Sequence, residues 1–92
     1  MSDPYPHVAQ RFVERFGVSL SETAYANLCT RAKNDWLIAR QTHAGMSHRI
    51  VKYRGWFIKA LYHRKLKRVV TVMRVSKADT RQLSKLVAEG DA

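Results

Sequence analysis

Hydrophobic residues recur with two different periods along this chain of 92 residues. Between residues 7 and 33 they stand three or four positions apart, the spacing that places side chains on one side of a helix. Between residues 36 and 75 apolar and polar residues alternate, as they do along the strands of a sheet. Residues 76–92 form a polar end. The pattern therefore predicts helices first, strands second and a short polar segment last.

The N-terminal segment predicts two helices. In the first, Val8, Phe12 and Phe16 share one side, and Gly17 suits the left-handed residue that ends a helix. The second is predicted to begin with a capping box over residues 19–22, in which a serine hydroxyl accepts from a first-turn amide and a glutamate reaches back. The predicted buried side of this helix consists of Tyr25, Leu28, Cys29 and Ala32.

Four strands are predicted at about residues 36–42, 48–54, 56–63 and 68–75. Their connections are too short for crossover helices, so we expect antiparallel neighbours. In the third strand one face carries Trp56, Ile58, Ala60 and Tyr62, and the other carries Phe57, Lys59, Leu61 and His63. In the fourth strand Val70 and Val72 are predicted on the face opposite to Val69, Thr71, Met73 and Val75. The pattern leaves open which face meets the helices.

These elements predict one α+β domain over residues 1–92. Two N-terminal helices (about 7–33) pack on one face of a curved antiparallel sheet of about four strands (about 36–75). The opposite sheet face is expected to form a cationic groove. Within residues 76–92, Leu83, Leu86 and Val87 allow a short C-terminal helix after Asp79-Thr80.

Charge changes this picture because the strand segment contains no acid. Residues 36–78 include eleven Lys or Arg and three His but no Asp or Glu, and the whole chain has a formal net charge of +10. Such an excess creates a positive field that nothing nearby in the sequence cancels. The expected partner is RNA or another polyanion, because apolar residues threaded through the segment indicate a folded basic surface.

Composition also limits the chemistry. The one cysteine, Cys29, cannot form an internal disulfide and is interpreted as a packing residue, which favours a cytoplasmic location. No secretory signal and no run of about 20 apolar residues is present, so no membrane partner is expected. Metal-ligand spacings and paired carboxylates are also missing from the basic segment, so no metal and no other cofactor is expected.

The basic segment suits metal-free cleavage of RNA. That reaction needs a base for the ribose 2′-hydroxyl, an acid for the leaving oxygen and cations for the charged intermediate. The side chains best suited to proton transfer near neutral pH are His7, His43, His48 and His63. Candidates for hydrogen bonding are Tyr53, Tyr62 and Thr71, and candidates for base stacking, with core packing as the alternative, are Trp36, Trp56, Phe57 and Tyr62.

Two stretches of the chain resemble a known superfamily of small nucleases. The run HVAQRFVERFGV from His7, followed by LSETAY, is similar to the helical opening of the group that includes barnase, EndoU, the tRNA-cleaving colicins and RelE toxins. The run RIVKYRGWFIKALY from Arg49, closed by RVVTVM, is similar to their strand core. The resemblance covers about residues 7–74 and implies metal-independent ribonuclease chemistry through a cyclic phosphate.

The resemblance also implies a catalytic set of His7, Arg11, Arg54 and Thr71. In this set His7 transfers protons, the two arginines hold the phosphate together with Lys52 and Lys59, and Thr71 helps to position it. The residues expected to bind nucleic acid are Lys52, Lys59, His63, Arg64, Lys65, Lys67, Arg68 and Arg74. His63 departs from the pattern, since these domains often have an acidic residue there.

Three functions follow from these observations. The first hypothesis is a toxin-like or phage-encoded ribonuclease, with an acidic antitoxin as the expected partner of a toxin and the host cytoplasm as the location of a phage protein. The alternative is a non-enzymatic phage or regulatory protein whose basic face binds nucleic acid, or binds an acidic host protein and inhibits it. A third is a basic ribonucleoprotein subunit. The two leading hypotheses require the cations to converge on one exposed sheet face.

Overall fold

The computed structural model describes residues 3–42 and 44–90, and for residues 87–90 the backbone alone. Its elements are α1 (Tyr5–Phe16), α2 (Glu22–Asn34), β1 (Ile38–Gln41), β2 (Met46–Tyr53), β3 (Trp56–His63), β4 (Arg68–Arg74) and α3 (Lys77–Gly90). The predicted α+β fold, with two helices, a four-stranded antiparallel sheet and a C-terminal helix, is confirmed.

The sheet is an open antiparallel meander in the order β1-β2-β3-β4. Val51 of β2 stands opposite Ile58 of β3, and Ala60 of β3 stands opposite Val72 of β4. The turns between β2 and β3 and between β3 and β4 lie at opposite ends of the sheet. Because a strand rises about 3.3 Å per residue, an eight-residue strand separates these ends by about 23 Å.

The sheet face covered by α1 and α2, called here the helix face, holds the main core. Val8 and Phe12 of α1 and Leu28 of α2 are fully or almost fully buried, at 0%, 1% and 0% exposed. They belong to one cluster with the sheet residues Val51, Ile58, Ala60, Tyr62, Val69 and Val72. The face of β3 that carries Ile58 is therefore the one that meets the helices, a question that the sequence pattern left open.

The fourth strand departs from simple alternation. The pairing of β3 with β4 shifts register at Leu61/Tyr62, so that Val70 has no opposite residue and Tyr62 stands opposite Val69. A bulge of this kind inserts one residue and reverses the faces beyond it. Val69 and Val72 consequently both lie in the core, and the prediction that they occupy opposite faces is wrong.

The N-cap of the second helix lies two residues later in the chain than predicted. Ser21, in extended conformation, is the N-cap, and its hydroxyl accepts a hydrogen bond from the Ala24 amide at 3.1 Å. The capping box predicted at Ser19 is therefore wrong, because Leu20 lies between the helices and is buried there. The Tyr5 hydroxyl fixes this connection by donating to the Leu20 carbonyl at 2.7 Å. The predicted left-handed Gly17, with φ of 68°, is confirmed.

The other side of the sheet, called here the second face, is partly covered by α3. Leu83 of α3 packs with Ile38 of β1 and Ile50 of β2, and Val75 adds to this smaller cluster. Asp79 reaches further across the face to Arg40 and Lys59. The helix starts at Lys77 instead of after Thr80, because Ser76 and Asp79 form a reciprocal cap: each backbone amide donates to the other side chain.

Within the described ranges 3–42 and 44–90, no helix has the length and apolar character needed to cross a membrane.

Tyr25 ties α2 to β4. Its hydroxyl, in a buried position, donates to the Val69 carbonyl at 2.7 Å, and burial raises the pKa of Tyr25. We expect Tyr25→Phe to lower the free energy of unfolding by about 1–2 kcal/mol, because the Val69 carbonyl loses its partner in a buried position. Guanidinium denaturation measures the change, with Tyr5→Phe as a control at a half-buried site. Unchanged stability of Tyr25→Phe would contradict this role.

Candidate nucleic-acid interface

The cations of the basic segment are distributed over both faces and both ends of the sheet. Lys52 and Lys59 point to the second face, whereas Arg49 and Arg74 occupy helix-face positions. Arg64, Lys65, Lys67 and Arg68 lie in or beside the turn between β3 and β4. The expectation of a single open cationic groove is therefore wrong. Strand alternation sends neighbouring cations to opposite faces, and α3 covers part of the second face.

The end of the sheet at the β2–β3 turn, called here the Trp56 end, combines exposed aromatic rings with arginines. Trp56 and Phe57 are 41% and 38% exposed. With Arg15, Phe16, Arg74 and Val75 they line a depression of about 370 Å³. The Arg74 guanidinium donates to the Arg15 carbonyl at 2.8 Å, which holds the end of α1 against the end of β4.

Trp56 is supported on one side only. Its ring stacks on Phe16, with 5.9 Å between centroids and an interplanar angle of 26°. Phe16 in turn contacts the buried ring of Phe12 at 4.9 Å. The core thus fixes the orientation of Trp56 while leaving part of the indole open to solvent. A rigid, half-exposed ring is a suitable platform for a second flat group.

Arg54 extends this surface around the turn. It has a positive φ of 51°, and its guanidinium lies over the Tyr53 ring at 5.5 Å. Tyr53, Arg54 and Trp56 line a small depression of about 120 Å³, and the first two also line a neighbouring one of about 450 Å³ that includes Arg31 and Asp35. The three depressions share residues and form one band around the Trp56 end. Among their lining residues in the described chain, Asp35 alone is acidic.

Arg49 has a structural role inside the fold. Its guanidinium lies 4.4 Å from the centre of the Tyr62 ring and donates to the Ala32 carbonyl at 2.9 Å, near the end of α2. It also donates to the Ser47 hydroxyl at 2.9 Å. A cation at the carbonyl end of a helix is favourable, because the helix dipole is negative there. Arg49 therefore joins α2 to the sheet and is not free for a ligand.

On the second face the cations meet an acid. Asp79 is fully buried; its Oδ1 accepts from Arg40 at 2.7 Å and its Oδ2 lies 3.3 Å from the Lys59 ammonium. Burial alone raises the pKa of Asp79, but hydrogen bonds from Ser76, Arg40 and Lys59 outweigh burial and hold that pKa well below its usual value. Gln82 gives Arg40 a further acceptor.

The opposite end of the sheet, at the β3–β4 turn, carries cations without exposed large aromatic rings in the described structure. Arg64, Lys65, Lys67 and Arg68 are exposed, and Arg68 lies 3.6 Å from the exposed Asp3 carboxylate. The Nδ1 of His63 accepts from the Leu66 amide at 3.2 Å, so this imidazole shapes the turn. A depression of about 280 Å³ at this end is lined by the half-buried Tyr5 and the buried Tyr25, together with the acids Asp3 and Glu22.

The four residues of the implied catalytic set do not form one site. His7 and Arg11 lie on α1 against the helix face, and Arg11 pairs with Glu14 at 2.8 Å. Thr71 lies opposite Leu61 on the second face, and Arg54 lies in the β2–β3 turn. His7 and Thr71 are thus on opposite sides of the sheet, and the structure does not bring the four side chains together.

Other sequence candidates are also placed by the fold. Tyr53 and Tyr62 are 5% and 2% exposed and belong to the core, although Tyr53 also lines two of the depressions at the Trp56 end. Trp36 is 45% exposed, just before β1. His43 lies outside the described residues. Cys29 packs against the core, and its sulfur accepts from the Val69 amide at 3.4 Å. The described part of the chain contains no cluster of three metal-ligating side chains.

Sequence reasoning missed Arg15 and Phe16 as members of the Trp56 end, because they belong to a helix predicted to act only as packing. The sequence contained one indication of this role. Arg15 lies in the last turn of the helix, next to Phe16 and just before the helix-ending Gly17, and a side chain in the last turn can extend beyond the helix. Asp79 was also missed. It is the acid that ends the acid-free segment, and only the path of α3 shows that it folds back onto the sheet.

Neither a protein-family model, a curated protein nor a solved structure was found to match this chain. The resemblance to small nucleases therefore stays a prediction.

His48 makes stability depend on pH. Burial lowers the pKa of His48 below its ordinary 6.5, and nearby Lys59 and Arg40 lower it further, while Asp79 opposes them. The unfolded chain thus binds this proton more readily, so the free energy of unfolding falls as the pH drops below about 6.5. We expect denaturant midpoints at about pH 8 and about pH 5.5 to differ less in His48→Gln than in the unaltered chain.

The matched control is His7→Gln, which removes an exposed histidine on α1, on the other side of the sheet. It should keep the full pH-dependent change. An equal loss of stability on acidification in His48→Gln and in the unaltered protein would contradict the role given to His48.

Proposed function

We propose that this protein binds single-stranded RNA through the Trp56 end. The observation that carries the proposal is the exposed pair Trp56 and Phe57 in one depression with Arg15 and Arg74. Proteins that bind single strands combine aromatic rings, on which bases stack, with cations along the path of the backbone. The Trp56 end provides both within one band of surface.

Single-stranded nucleic acid suits this surface better than a duplex. The rings of Trp56 and Phe57 can contact only bases that are unstacked, since bases within a duplex present their edges to a protein. The Arg54 turn and Arg31 continue the cationic path beyond the rings on the α2 side. The path therefore continues beyond the rings, which occupy one end of it.

Net charge supports the same proposal. A chain of formal charge +10 attracts a polyanion over long distances and releases counterions when it binds one. This general attraction does not select a site, because cations stand at both ends of the sheet. The exposed aromatic rings distinguish the two ends, since the β3–β4 turn has exposed cations but no exposed large aromatic ring among the described residues.

Binding is favoured over cleavage as the function. The chemistry of metal-free cleavage requires a proton-transfer group and cations on the same phosphate. His7 stands on α1 on the helix side of the sheet, and at the Trp56 end no histidine lines the depressions within the described chain. The proposed function keeps RNA binding without catalysis from the alternative hypothesis. It replaces the sheet face that this hypothesis required, on which the cations do not converge, by the Trp56 end.

The test measures the affinity of a fluorescent single-stranded oligoribonucleotide by anisotropy. We expect Trp56→Ala to weaken binding about 5- to 150-fold, because stacking contributes about 1–3 kcal/mol per base. Arg74→Gln should also weaken binding and reduce the slope of log affinity against log salt by about 0.7, the value for one phosphate contact to a single strand. Arg81→Gln, which removes the same charge from an exposed position on α3, is the matched control.

A second measurement follows the ring directly. The chain has two tryptophans, so Trp36→Phe leaves Trp56 as the sole indole. Its fluorescence should change on adding the oligonucleotide if a base stacks on it. Equal affinity of Trp56→Ala and the unaltered protein, together with unchanged fluorescence, would overturn the proposal. Discrete RNA fragments in the presence of EDTA would instead support the ribonuclease, and tight binding of an acidic protein without RNA binding would support the inhibitor.

A further inference from the structure

The second face contains two cations that converge on a carboxylate of the chain itself. Arg40 of β1 lies 2.7 Å from Oδ1 of Asp79, and Lys59 of β3 lies 3.3 Å from Oδ2. The side chain of Arg40 remains 43% exposed and that of Lys59 18% exposed, although Asp79 is fully buried. A guanidinium and an ammonium that grip two oxygens of one anion have the arrangement that also binds a phosphate.

The helix that delivers this carboxylate is lightly attached. Among the side chains that the structure describes, its cluster on the second face has three buried members, Leu83 of α3 with Ile38 and Ile50, whereas the core on the helix face has fourteen. Leu86, one turn after Leu83, is 41% exposed. Because α3 and the main core pack on opposite faces of the sheet, α3 can detach without unfolding the main core.

The second face is continuous with the Trp56 end. Phe57 lines the depression beside Trp56 and shares the second face with Lys59, two residues further along β3. Lys52, exposed on the same face, stands opposite Phe57 in the neighbouring strand. Side chains two residues apart on a strand are separated by about 7 Å. A backbone that leaves the rings can therefore follow Lys52 and Lys59 towards Arg40.

We propose that Arg40 and Lys59 form a second phosphate site for a single-stranded nucleic acid, and that Asp79 occupies this site when no ligand is bound. The ligand class rests on the proposed function; the masked site itself rests on the geometry of α3. Binding of a phosphate displaces the carboxylate and releases the first turns of α3 from the sheet. Displacement also opens the surface around His48, whose neighbours are the same two cations.

The experiment compares three variants of the full chain for binding of the same oligoribonucleotide. Asp79→Asn removes the competing charge, and Leu83→Ala weakens the docking of α3 without changing the charge. Glu22→Gln raises the net charge as Asp79→Asn does, but at an exposed position at the start of α2. We expect the first two to bind about fivefold or more tightly, because a partly populated binding-competent state reduces apparent affinity. The gain in Glu22→Gln should be much smaller.

Two further measurements test whether the gain in affinity arises at Arg40 and Lys59. Adding Lys59→Gln to Asp79→Asn should abolish the gain. Hydrogen exchange of the unaltered protein should show that the backbone amides of residues 81–86 lose protection when the oligonucleotide is added. Circular dichroism and the exchange of α1 and α2 amides verify that each variant keeps the main core.

Each outcome decides between the proposals. Equal affinities of Asp79→Asn and Glu22→Gln, with α3 still protected in the complex, overturn the masked site and leave binding at the Trp56 end intact. A gain that needs Lys59, together with equal affinity of Trp56→Ala and the unaltered protein and unchanged Trp56 fluorescence, supports the masked site and overturns the Trp56 end. Absence of binding by the unaltered protein and by all variants overturns both.

Discussion

The packing of α1 and α2 against one face of the sheet determines to which face all the remaining side chains of the strands point. Phe12 and Leu28 bury the face that carries Val51, Ile58 and Val72. Because the side chains of a strand alternate, this contact sends Lys52, Lys59 and Thr71 to the opposite face. A shift of one residue would exchange the two sets, bury charges and expose the core. The register is therefore strongly specified, and the distribution of the cations follows from hydrophobic burial.

The same constraint explains why the basic segment does not form a single patch. Its cations divide between the second face, the two turns and the interior contact of Arg49 with α2. Self-repulsion is smaller in this distribution than it would be if all these cations lay in one patch. Charge alone then gives no preference among surfaces. The preference comes from aromatic rings, and Trp56 and Phe57 are exposed at the end where β2 turns into β3 because Phe16 supports the indole from beneath.

Asp79 shows that the fold can pair cations with an acid from outside their own segment of the sequence. It ends a stretch of 43 residues without an acid, and α3 returns it to the middle of that stretch's own strands. A buried carboxylate between two cations satisfies the charges but leaves part of Arg40 accessible. Replacing buried ion pairs is often neutral for stability, so such a pair is weak evidence of a purely stabilising role. Its position over a surface continuous with Phe57 is the basis for the proposed masking of a phosphate site.

The order of the elements, the antiparallel meander, the core side of α1 and the left-handed Gly17 were determined by the sequence, because periodicity and turn chemistry are local properties. Four features needed the tertiary structure: the face of the sheet that meets the helices, the bulge that puts Val69 and Val72 together, the exposure of Trp56, and the contact of Asp79 with Lys59. Each of these features joins residues that are distant in the chain or depends on an inserted residue. The alternation of apolar and polar residues contains no information about distant contacts or insertions. The sequence therefore predicted a basic sheet, and only packing decided which of its cations and rings meet.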